Sequence, residues 1–232
     1  MANPSRLIQV YLLAYNVVSA TSWAWLLWVT LFTLATSGGS HQAVYDAVVG
    51  PLTVIQFAML LDVVHAVLGF VRTPIVTSAI QVASRVLIVI LTLQWFNVPA
   101  VTQSTAVSTM LVAWSVTEVI RYGYYACSLL GMQSYLLTWA RYTFFFILYP
   151  LGAGSEATLL YKTLPTVKLY SSPLYLTFWF LLMLYLPLFP QMYLHMVGQR
   201  KKVLQRSKVT SASTPTSRRP RAASSTPIKK KI

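Results

Sequence analysis

The chain has 232 residues, of which 56% are hydrophobic and only 9% charged, against roughly 25% charged in an ordinary soluble domain. That deficit argues against a soluble globular enzyme and points to a bilayer as solvent. The net charge of +14 is lopsided: eleven of the eighteen basic residues lie from Arg200 onward, where there is no acid, and the first 199 residues hold seven basic and four acidic residues, or +3. Nucleic-acid binding wants stacking aromatics beside the basic residues; the tail has none, so no nucleic-acid partner is expected. Cys127 is the single cysteine, which excludes an intramolecular disulfide and a cysteine-based zinc site. It reads as a small packing residue in an apolar helix. His41, His65 and His195 fall on separate segments, so no metal site is expected.

Apolar stretches of spanning length, about 20 residues each, recur along the chain. The first covers roughly 10–35 and follows Arg6. It is longer than the apolar core of a cleaved signal peptide and reads as a retained span. Ser37-Gly38-Gly39-Ser40 makes a loop, a second span covers roughly 47–70, and Arg72-Thr73-Pro74 makes a turn. The third span, 77–96, ends at Asn97-Val98-Pro99; the fourth covers 103–130 and the fifth 133–150. Gly152 and Gly154 then suggest a loosened chain, with a mixed stretch over 157–172 containing Lys162, Pro165 and Lys168, before a sixth span at 173–197. The expected fold is therefore all-α: a polytopic helix bundle of about six spans in a membrane domain at 10–198. A short N-terminal segment, 1–9, precedes it, and a disordered basic tail, 199–232, follows.

Six spans place both termini on one side. The basic residues of Arg6, the Arg72 turn and the Arg200–Arg206 cluster make that side cytosolic, whereas Lys162 and Lys168 fall against the rule. The chain ends Lys229-Lys230-Lys231-Ile232. Lysines third and fourth from the end resemble the dilysine retrieval signal of endoplasmic-reticulum membrane proteins.

Ionisable groups inside spans are costly and mark function by default. Asp62 and His65 stand three apart and share a helix face. Glu118, Arg121, Tyr122 and Tyr125 form one stripe on the fourth span, and Arg141 and Tyr142 lie on the fifth. Lipid cannot solvate such stripes, so they must face the bundle interior. Structural ion pairs account for several of them: Asp62 with Arg85, and Glu118 with Arg121. Tyr149 and Glu156 are different. Pro150 is expected to break the helix after Tyr149, and the glycines beyond it would let the chain fold back. A phenol and a carboxyl without a neighbouring cation would then converge, a pairing suited to proton transfer.

The ordered motifs Leu61-Asp62-Val63-Val64-His65, Gln81-Val82-Ala83-Ser84-Arg85, Trp114-Ser115-Val116-Thr117-Glu118-Val119-Ile120-Arg121-Tyr122, Trp139-Ala140-Arg141-Tyr142, Leu148-Tyr149-Pro150-Leu151-Gly152 and Ser155-Glu156 resemble the very-long-chain (3R)-3-hydroxyacyl-CoA dehydratases, also called protein tyrosine phosphatase-like proteins. The resemblance covers roughly residues 10–197. It implies an endoplasmic-reticulum enzyme of fatty-acid elongation that converts a 3-hydroxyacyl-CoA to the trans-2-enoyl-CoA. Tyr149 and Glu156 would be its catalytic pair, in either assignment of base and acid, and it would use no cofactor. Arg121, Tyr122, Arg141 and Tyr142 are then candidates for holding the acyl-CoA. Asp62, His65, Arg85 and Glu118 become supporting charges, and other enzymes of the elongation cycle become expected partners. Asp62 departs from the glutamate expected there. The phosphatase in the family's older name is not supported: a cysteine phosphatase needs an arginine six residues after its cysteine, and here Gln133 follows Cys127 at that spacing. The rival readings are a transporter or channel with Asp62, Glu118 and Arg121 as a relay, and a non-catalytic subunit of an elongation complex.

Overall fold

The computed structural model describes residues 5–71, 75–132 and 134–212. The expected turn at Arg72, the Gln133 position and the chain from Ser213, with its terminal lysines, lie outside the described residues. The described chain is helical. It comprises α1 (Arg6–Thr36), α2 (His41–Ala58), α3 (Leu60–Val67), α4 (Ile75–Leu87) running into a π-helical stretch (Ile88–Trp95), the short α5 (Pro99–Thr102), α6 (Thr105–Leu129), α7 (Tyr135–Thr143), α8 (Phe145–Tyr170) and α9 (Ser172–Ala212).

Serine side chains begin four of these helices: Ser5, Ser40, Ser104 and Ser134 each accept a backbone N–H of the first turn, which satisfies a donor that the helix itself cannot. Gly38 and Gly39 carry φ of 64° and 87°, the left-handed backbone that turns α1 back toward α2. The C-terminal end of the π-helical stretch is closed from outside. Tyr45 donates its hydroxyl to the Leu93 carbonyl at 2.5 Å, an oxygen in the last turn with no following N–H to accept.

Four helical segments, α1, α2–α3, α4 with its π-helical extension, and α9, are long and apolar enough to cross a membrane. A fifth is added if the bent pair α7–α8 is one span. Their outward faces are apolar, as at Val17, Val18, Trp25, Trp28 and Phe32 on α1, which is the surface a helix presents to lipid. The protein is a multi-pass helical membrane protein. The remaining long helix, α6, has 25 residues and is about 37 Å long, enough to span. Glu118, Arg121 and a scatter of Ser and Thr make it polar for a span, and it is the most enclosed of the helices, packed against α1, α2, α7 and α8. Trp114, Met110, Leu111 and Tyr122 of α6 join Trp23, Leu26, Leu52, Val89 and Leu159 in one core.

Two expectations about α8 are corrected. Pro150 does not end a helix, and the chain does not loosen over residues 152–155: α8 runs unbroken from Phe145 to Tyr170 with Pro150 and Pro165 inside it. The break falls at Phe144, where α7 and α8 meet at 45°. Packing overrides local propensity here. Gly152 lies on the face of α8 that packs along α6, where a Cβ would meet Trp114 at 3.7 Å and Ala113 at 3.8 Å, ordinary contact distances. Ser155 and Thr109 bond across the same seam at 2.7 Å, and Lys162 reaches Ser104 at 2.8 Å. At the other end, helical backbone continues past residue 198 to Ala212.

Removing the Tyr45 hydroxyl leaves the Leu93 carbonyl without its partner in a dry interior. Tyr45→Phe is expected to cost about 1–3 kcal/mol in denaturant unfolding of the detergent-solubilised protein. Tyr161→Phe, on an exposed ring, should shift stability by less than about 0.5 kcal/mol.

Candidate active site

The ionisable residues converge on one polar chain through the bundle. On α6, Glu118 is 3% exposed. It accepts Arg121 Nε at 2.6 Å on one oxygen and Arg85 Nη1, reaching in from α4, at 2.5 Å on the other. Arg121 turns its Nη2 to Asp62 of α3 at 2.7 Å. Asp62 also accepts the hydroxyls of Tyr15 from α1 and Tyr122 from α6, both at 2.8 Å. Two carboxylates and two guanidiniums thus cancel, with the remaining carboxylate lone pairs taken by phenols. Such closure is what a buried ion cluster needs to survive desolvation.

The expected pairing of Asp62 with Arg85 is therefore replaced. Arg85 belongs to Glu118, and Arg121 bridges both acids. His65 stands beside Asp62 on the same face, as expected, and meets Tyr11 at 2.8 Å through Nε2, with Tyr15 packed edge-on at 4.8 Å. Arg121 and Tyr122, taken as substrate-holding candidates, are both engaged with Asp62. Tyr11 and Tyr15 complete the cluster and were not singled out from sequence. They stand four apart, as one turn of α1 requires, but nothing local separates them from the other aromatic residues of that helix.

The chain of polar contacts passes to α8 through an indole. The Arg85 guanidinium lies over the Trp114 ring at 4.9 Å, and Trp114 donates Nε1–H to Glu156 Oε1 at 2.8 Å. Tyr185, from α9, donates to Glu156 Oε2 at 2.7 Å. Glu156 is thus held by two neutral donors, whereas Asp62 and Glu118 are held by arginines. Tyr149 lies seven residues earlier on the same uninterrupted helix, about 10 Å along the axis and on nearly the same face. Its ring stacks on Phe189 of α9 at 5.1 Å and leans toward Tyr193 at 6.4 Å. Both groups therefore face α9, without the fold-back expected from Pro150. Tyr185 was missed in the sequence because it sits among apolar residues with no polar neighbour at helical spacing.

Arg141 on α7 forms a separate group with aromatic partners. It donates to the Tyr125 hydroxyl at 3.2 Å and lies over Tyr124 at 4.6 Å, Tyr125 at 4.8 Å and Tyr142 at 5.7 Å. Among the described residues no carboxylate comes within ion-pair distance of it.

The geometry describes a chain of ionisable and phenolic side chains inside a multi-helix membrane scaffold. The family model described as protein tyrosine phosphatase-like protein, PTPLA, matches residues 56–206. The chain is 40% identical over 211 residues to the very-long-chain (3R)-3-hydroxyacyl-CoA dehydratase hpo-8 of Caenorhabditis elegans, covering 85% of this chain and 95% of that one. It is 36% identical to very-long-chain (3R)-3-hydroxyacyl-CoA dehydratase 2 of Homo sapiens, over 87% of this chain and 84% of that one. It is also 36% identical to PASTICCINO 2 of Arabidopsis thaliana, named as the same dehydratase, over 86% and 95%. The chain belongs to this protein tyrosine phosphatase-like family. No solved structure matches it.

Glu118→Gln would leave Arg85 without its carboxylate and Arg121 with Asp62 alone. We expect a loss of about 3–5 kcal/mol, read as a lower thermal midpoint for the monodisperse protein in detergent. Combining it with Arg85→Met should recover part of that loss; a cycle with no coupling between the two would count against the network.

Proposed function

We propose that this chain is a hydro-lyase that removes water from long and very-long-chain (3R)-3-hydroxyacyl-CoA to give trans-2-enoyl-CoA, with Tyr149 and Glu156 as its acid–base pair. The observation that carries this reading is the contrast among the three carboxyls along the polar chain. Asp62 and Glu118 are consumed by arginines, while among the described residues Glu156 takes its hydrogen bonds from Trp114 and Tyr185 and shares its face of α8 with Tyr149. The names of the relatives at 36–40% identity support the same reaction.

The reaction needs a base at C2 and an acid at the C3 hydroxyl. Tyr149, as phenolate, takes the C2 proton; the freed electron pair forms the C2=C3 bond; the C3–O bond breaks and the hydroxyl leaves as water with the proton of Glu156. Arg141, in its tyrosine surround and without a carboxylate partner among the described residues, is assigned to the negatively charged CoA end, as a guanidinium suits phosphate. The acyl chain runs into the apolar interior. The site belongs to an enzyme of the endoplasmic-reticulum membrane with both termini in the cytosol and other enzymes of the elongation cycle as neighbours.

Tyr149→Phe and Glu156→Gln should each lower kcat by about 100-fold or more in detergent-purified protein supplied with 3-hydroxyacyl-CoAs of several lengths, with elution profile and melting behaviour unchanged. Normal turnover by either variant would sink the assignment. Solute flux in liposomes without turnover would favour a transporter.

A further inference from the structure

The two donors that hold Glu156 are chemically unequal. An indole N–H can only donate, whereas a phenol hydroxyl either donates or accepts. Trp114 therefore occupies Glu156 Oε1 as an acceptor in every protonation state. Tyr185 faces Oε2 and can turn its hydroxyl from donor, toward a carboxylate, to acceptor, toward a carboxylic acid. A proton on Glu156 accordingly belongs on Oε2.

The helix register adds a second constraint. Tyr185, Phe189 and Tyr193 recur every four residues along one stripe of α9, which runs antiparallel to α8. Tyr193 meets Phe145 and Phe146, Phe189 stacks on Tyr149, and Tyr185 reaches Glu156. One turn of α9, about 6 Å, separates Phe189 from Tyr185. The Tyr185 ring thus fills the seam between the levels of Tyr149 and Glu156.

We propose that Tyr185 is a positioning residue of this dehydratase: it makes Oε2 the proton-carrying oxygen of Glu156 and holds that carboxyl toward the Tyr149 end of the seam. The inference rests on the reading of Tyr149 and Glu156 as the acid–base pair. In the cycle the Oε2–H bond breaks as the proton passes to the departing C3 hydroxyl, and the carboxylate left behind is met by the Tyr185 O–H turned back to donate. No group is consumed: Tyr185 ends each elimination as the phenol it began as.

The test compares purified Tyr185→Phe with Tyr149→Phe, Glu156→Gln and the full-length parent, and uses Tyr175→Phe, a phenol elsewhere on α9, as control. Tyr185→Phe should lower kcat by about 10–100-fold, leave KM within about twofold, and displace the limb of the pH–kcat profile that reports Glu156. Its infrared carboxyl band, assigned by its absence in Glu156→Gln, should move as the hydrogen bond is lost. Tyr175→Phe should behave as the parent does. Should Tyr185→Phe not accumulate as folded protein, 3-fluorotyrosine placed at position 185 preserves the ring while making the hydroxyl more acidic, and should displace the same limb. Parental kcat in Tyr185→Phe, or a lower kcat with pH limb and carboxyl band unmoved, overturns the inference, as does an unmoved limb with 3-fluorotyrosine. Normal turnover by Tyr149→Phe or Glu156→Gln would instead overturn the acid–base reading beneath it.

Discussion

Two carboxylates and two guanidiniums, largely enclosed between the helices, cancel one another inside the bundle, and much of the helix arrangement follows from that requirement. Asp62, Arg121, Glu118 and Arg85 come from α3, α6 and α4, with Tyr15 of α1 filling a remaining acceptor position. Each pairing fixes the height of one helix against α6. A shift of one turn would strand a charge in apolar surroundings, where an unpaired ion costs several kcal/mol. Helices in lipid gain little from burying apolar surface against one another, so a closed polar network is a strong way to specify their order.

The same network separates structure from chemistry. Because the four charges already sum to zero, Glu156 stands outside the cancellation. It is joined to the cluster through the Trp114 ring, over which Arg85 lies, and is met by hydrogen-bond donors without formal charge. A carboxyl so placed can gain and lose a proton without unbalancing the ion pairs that hold the bundle. The α8–α9 seam that carries it is also built differently from the α6 interface. It is lined by stacked aromatic rings, Tyr149, Phe189 and Tyr193 among them.

Hydropathy, read alone, undervalues α6. Its polar residues drop it from the helices that qualify as spans by composition, yet those residues are the ones that organise the others. The spacing of Glu118, Arg121, Tyr122 and Tyr125 was legible as a stripe needing an interior, and the Glu118–Arg121 pair three residues apart was legible as local. Which partner Arg85 and Asp62 would choose was not, because that depends on how far α3 and α4 stand along α6.

The sequence by itself determined the class of solvent, the all-helical membrane fold, the polar stripes that must face inward, and through its ordered motifs the family. Those features are local or compositional: a 20-residue apolar run, a carboxylate three residues from an arginine, or a tyrosine beside a proline can each be read in one dimension. Only the tertiary structure decided that Pro150 and the two glycines stay within one helix, packed between α6 and α9 over its length. It also decided that the phenol bonded to Glu156 is Tyr185, twenty-nine residues away on α9. Antiparallel packing of two helices sets that contact, and no spacing within either helix encodes it.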